Sequence, residues 1–173
     1  MTTSVWPPRT RDRSALVHAY VDLLGWTLFV GSDPVQPGEL EDAFTSNPNT
    51  VLLASCSSFD AVSIPYRAAT EALIRLERKE LSVPCLLSGE RGIFLVEAGS
   101  GHRVAALGGV EVAAGDAARM ILPPTVGARW DTPPWRRSER VPVKLHNTDV
   151  VGPFLSGALR LFSHSSEAGG AAC

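Results

Sequence analysis

Apolar positions recur at two different periods along this chain, and the switches between them mark out its elements. Ala15, Leu16, Ala19, Tyr20, Leu23 and Leu24 follow i, i+3 and i+4, one stripe of a helix predicted over Asp12 to Leu24. Gly25 ends that helix as a C-terminal cap, and Trp26 to Val30 follows as a strand. Gly31 to Pro37 reads as turn material and Glu39 to Phe44 as a short helix. Asn49 to Ser55 and Phe59 to Ile64 are nearly continuous apolar runs, as expected of strands buried on both faces. Pro65 opens a helix over Tyr66 to Glu80, where its missing N–H costs nothing, and Ala69, Ala72, Leu73 and Leu76 form the buried side. Leu81 to Leu87 and Ile93 to Val96 predict paired strands around the turn Ser88-Gly-Glu-Arg-Gly92. Val104 to Leu107, Val110 to Ala113 and Arg119 to Leu122 predict short strands split by Gly-rich turns. Val126 to His146 is rich in proline and arginine and reads as irregular, and Phe154 to Phe162 predicts a closing helix.

This order implies a single α+β domain over residues 12–162, with a curved central β-sheet and helices packed against it. A loose arm over 1–11 precedes it, and a tail of Ser, Gly and Ala over 163–173 follows. There are no internal repeats. A chain of 173 residues can bury a sizeable core without disulfides or a metal. Its 45% hydrophobic and 20% charged composition is that of a soluble globular protein. No apolar run approaches the ~20 residues of a membrane span, so a membrane is not among the expected partners. Arg9, Arg11 and Arg13 have no apolar stretch of signal type behind them, which argues against export. Cys56, Cys85 and Cys173 are scattered and without C-x-x-C, a pattern of free thiols in a reducing cytoplasm.

The candidate chemistry is sparse. His18, His102, His146 and His164 lack ligand spacing, and no G-x-S-x-G, P-loop or G-x-G-x-x-G setting occurs, so neither metal nor cofactor is expected. A net charge of −2 predicts no polyanion partner for the chain as a whole. The distribution is less even. Arg129, Arg136, Arg137, Arg140 and Lys144 stand against only Asp131 and Glu139, with Trp130 and Trp135 among them. Cations that track phosphates beside indoles that stack on bases suit DNA, single-stranded or duplex. The same seven residues also suit a protein partner or a homodimer, because Trp and Arg are frequent interface anchors. The bland alternative is a solvated loop whose tryptophans anchor it and whose arginines pair with Glu71, Glu77 or Glu80.

Met120-Ile-Leu-Pro-Pro-Thr125, followed by Gly127 and Trp130, resembles the end of a bifunctional DNA primase–polymerase domain of the archaeo-eukaryotic primase superfamily. Gly25-Trp26 before a strand, and a strand running into Pro65 and a helix, are similar to that family's earlier segments. The resemblance spans about Arg13 to Trp130. It implies metal-binding acids at Val62 and Ile64, a histidine at Gly92 and a further acid at Val112. None of these side chains offers a lone pair to Mg²⁺ or Mn²⁺. The expected protein is therefore a non-catalytic primase–polymerase-like relative, a regulatory or accessory protein on nucleic acid. The alternatives are a protein-interaction module without nucleic-acid affinity, or a residual nucleotidyltransferase using Asp60, Glu90 and Glu111 as a shifted carboxylate cluster.

Overall fold

The computed structural model describes residues 6–167. The ends of the expected arm and tail, residues 1–5 and 168–173 with Cys173, lie outside it, as does the side chain of His164.

Helix α1 (Arg13–His18) begins where the Asp12 carboxylate accepts the Ala15 N–H at 3.0 Å, and it runs on as a π-helical turn, Ala19–Leu23. Gly25 ends it in the left-handed region at φ 67°, a conformation that favours glycine. Strand β1 (Leu28–Val30) falls within the expected strand and forms a tight hairpin with β2 (Asp33–Val35), where the sequence suggested only a turn. Pro34 disguises β2, but a proline is tolerated in an edge strand, and β2 is the outermost. Helix α2 (Pro37–Ser46) follows, with the Gln36 N–H donating to Glu39 at 2.8 Å.

The two apolar runs expected after α2 are one strand, β3 (Leu52–Pro65). Ser57 and Ser58 break the hydrophobic pattern because the pairing with β6 shifts register between Cys56 and Ala61. That irregularity changes parity. Leu52, Ala54 and Cys56 thus join Phe59 and Ala61 in one core, whereas an unbroken strand would set the two groups on opposite faces.

Helix α3 (Tyr66–Arg78) leads to the hairpin β4 (Cys85–Ser88) and β5 (Arg91–Glu97). The strand expected at Val104 to Leu107 is instead a 3₁₀ turn, Gly101–Val104. Its start is held by polar bonds, Gly101 N–H to Asp60 and Ser100 O from the Thr148 hydroxyl, which tie it to β3 and the closing helix. The next two expected strands are one, β6 (Glu111–Leu122), and the segment expected to be irregular contains β7 (Ala128–Thr132). The closing helix α4 is Thr148–Glu167, longer at both ends than its apolar stretch suggested.

All strand pairings are antiparallel. β6 pairs along β3 from Leu52 to Ser63, β1 pairs with the start of β3 and β5 with its end. β4 and β7 continue the sheet beyond β5. The fold is a single α+β domain built on an open seven-stranded sheet. Two cores lie against it. Residues of α1, the π turn and α2 pack with Phe59, Ala61 and Leu95, while α3 and α4 pack with Val62, Ile64, Phe94 and Val96.

Candidate nucleic-acid interface and the apolar cluster at Gly92

Val62 lies opposite both Phe94 of β5 and Val112 of β6, and Ile64 lies opposite Gly92. The four positions singled out in the sequence are therefore neighbours on adjacent strands. Val62 and Ile64 are wholly buried, in one cluster with Ala68, Ala69 and Ala72 of α3 and Val151, Leu155 and Ala158 of α4. At Gly92 the helix comes closest: a Cβ on that glycine would stand 2.2 Å from the Ala69 Cβ. A histidine has no room there unless α3 moves. A packed apolar core of this kind would also leave a phosphate or a cation without compensation.

The three carboxylates of the shifted-cluster alternative do different things. Asp60 is buried and its Oδ2 accepts the Gly101 N–H at 2.7 Å, so it fastens the 3₁₀ turn to β3. Gly101 has no spare space, since a Cβ would meet Asp60 Cβ and Val112 Cγ1 at 2.9 Å. Glu111 is on the surface, 3.5 Å from the Arg91 guanidinium, which also bonds the Ser63 hydroxyl and the carbonyls of Ser63 and Gly109. Glu90 belongs to the β4–β5 turn, and its carbonyl accepts the Tyr66 N–H at 2.8 Å. Among the described residues, no three His, Cys, Asp or Glu side chains are grouped to hold a metal ion. His18 pairs with Asp22 at 2.8 Å on the surface.

The two indoles of the basic segment turn inward. Trp135 is 3% exposed and Trp130 is half-buried, and with Trp26 and Tyr20 they form an aromatic cluster at centroid spacings of 5.7–6.5 Å. Its hub is the Tyr20 hydroxyl, which donates to the Pro123 carbonyl at 3.0 Å and accepts the Trp130 Nε1–H at 2.9 Å. Burial holds the Tyr20 phenol protonated far above its ordinary range, with the Trp130 bond opposing. Trp135 Nε1 is the one buried side-chain polar atom among the described residues that lacks a partner. Stacking on bases, the role the sequence suggested for these rings, needs a face that Trp135 does not present.

The cations divide into groups. Arg129 lies opposite Leu87, on the face of the sheet away from Trp130, because alternate residues of β7 point opposite ways. Arg137 lines a groove of about 580 Å³ together with Glu77, Glu80 and Asp131. Arg136, Arg140 and Lys144 are exposed at the surface around Trp135, with Glu139 3.8 Å from Arg136. The Arg140 guanidinium stands 5.7 Å over the ring of Trp6. The sequence assigned Trp6, with Pro7 and Pro8, to a loose arm. Tyr20 was legible only as one more residue of an apolar stripe. The partners of both are more than 100 residues away, so no local pattern signals them. The count of four tryptophans was the one available hint.

Two thiols are internal. Burial, helped by Asp60 and opposed by Arg119, pushes the Cys56 thiol up to about 11, and burial raises Cys85 further. No helix among the described residues is long and apolar enough to cross a membrane. No family model, no curated protein and no solved structure matches this chain.

Proposed function

We propose that this chain keeps the frame of a primase–polymerase domain and acts by binding, as a non-catalytic accessory or regulatory protein on nucleic acid. The observation that carries the reading is the packing of α3 on Gly92, with Val62 and Ile64 buried in the same core. Nucleotidyl transfer needs oxygen ligands around divalent ions, and that place holds aliphatic side chains instead. Support for a nucleic-acid ligand comes from Arg136, Arg140 and Lys144, exposed cations on one short segment that can meet successive phosphates. Because Trp130 and Trp135 belong to the aromatic cluster, the binding is electrostatic and follows the backbone rather than the bases.

The test is fluorescence anisotropy with labelled single-stranded and duplex DNA. Arg136→Gln, Arg140→Gln and Lys144→Gln together should lower the slope of log affinity against log salt by about 2.7 on duplex, at about 0.9 per lost phosphate contact. Arg129→Gln, on the other face, should leave the slope unchanged. Equal affinity of the triple variant and the wild type would overturn the reading.

A further inference from the structure

We infer that Trp6 anchors a second basic segment, Arg9 and Arg11, onto the same surface, so that the interface is assembled from two stretches of chain 130 residues apart. The inference rests on the nucleic-acid reading above.

Three contacts hold Trp6 in place. Its Nε1–H donates to the Arg136 carbonyl at 3.2 Å, its ring centroid is 6.1 Å from that of Trp135, and the Arg140 guanidinium lies over its face. All three partners belong to the basic segment itself. The arm is tied at its other end too, where the Arg9 carbonyl accepts the Asp12 N–H at 2.9 Å and Asp12 caps α1. Pro7 and Pro8 stiffen the chain between, since each ring restricts the backbone.

Chain length then sets how far the new cations can be. At no more than ~3.6 Å per residue, Arg9 lies within ~11 Å of Trp6 and Arg11 within ~18 Å. Both are exposed. Asp12, just after the arm, accepts the Ala15 N–H as the helix cap. A free arm would lose conformational entropy on reaching a polyanion, and an arm already fastened at both ends loses much less. Trp6 is a positioning residue in this account. It contributes no charge, yet it decides where two charges stand.

The experiment uses the full chain and a labelled duplex of arbitrary sequence across a salt series. Arg9→Gln with Arg11→Gln removes two cations and no packing, and should lower the log–log slope by about 1.8. Trp6→Ala should lower it by a similar amount although it removes no charge, and Trp6→Phe, which keeps a ring on Trp135, should restore part of it. A residue that merely covers Trp135 would change the melting temperature without changing the slope. If the wild type binds while the Arg9/Arg11 variant keeps the wild-type slope, the inference is wrong and the nucleic-acid reading survives. If the wild type itself does not bind, that reading fails and the inference goes with it. Should Trp6→Ala fail to fold, the Arg9/Arg11 variant decides alone.

Discussion

Gly92 lies so close beneath Ala69 that the two residues have room for one methyl group between them, with a Cβ–Cβ distance of 2.2 Å if both carried one. Gly92→Ala should therefore destabilise the fold by about 1–3 kcal/mol through overpacking. Ala69→Gly in the same chain should recover most of that loss, despite its own cost in helix propensity. Urea denaturation of the two single variants and the double variant measures the coupling. An additive result would mean that α3 does not sit on β5 in this way.

The Tyr20 hydroxyl joins the π turn after α1 to the turn before β7 and to Trp130. Tyr20→Phe keeps the ring and leaves the Trp130 N–H and the Pro123 carbonyl without this partner. A loss of about 1–3 kcal/mol is expected, the usual cost of orphaned buried groups. It should appear as a lower urea midpoint with an unchanged slope, and a shift in tryptophan emission should accompany it.

Much of the fold was legible in the sequence. Helix α3 stood out because Pro65, the Ala69/Ala72/Leu76 spacing and the charged end agree. The β4–β5 hairpin was readable from its Gly-containing turn. Elements whose limits depend on distant partners were not. β3 and β6 each read as separate short strands because the register shifts at their shared bulge place Ser57, Ser58, Gly115 and Asp116 mid-strand. The basic segment was visible as a charge pattern. Periodicity alone could not indicate that its tryptophans face Tyr20 or that Arg129 lies on the opposite face of the sheet, because β7 itself was not recognised.

The Asp60 carboxylate accepts the Gly101 N–H at 2.7 Å and so holds the 3₁₀ turn to β3. Asp60→Ala should cost about 1–3 kcal/mol by leaving a buried N–H unpaired, and Asp60→Asn less, because its amide oxygen still accepts. Neither change should affect nucleotide incorporation, which is expected to be absent from the wild type in primer extension with Mn²⁺. Incorporation by the wild type that disappears in Asp60→Asn would restore the nucleotidyltransferase alternative.

The buried thiol gives the protein an alkaline limit. In the native state burial pushes the Cys56 thiol up to about 11, against an ordinary value of 9.0. Between those values the folded chain binds more protons than the unfolded one. This contribution to stability is thus complete below about pH 9 and is lost as the pH rises toward 11. Urea midpoints should fall across that window. In a Cys173→Ser background, Cys56 and Cys85 should both resist a thiol reagent at pH 8 until denaturant is added. Rapid labelling of either without denaturant would contradict their burial.

The most direct measurement is the affinity of the wild-type protein for a short duplex between about 25 and 200 mM salt. Phosphate contacts by Arg136, Arg140 and Lys144, with or without Arg9 and Arg11, should give a log–log slope between about −2.7 and −4.5 that does not depend on base sequence. No binding at the lowest salt, or an affinity indifferent to salt, would contradict a surface built to follow a phosphate backbone.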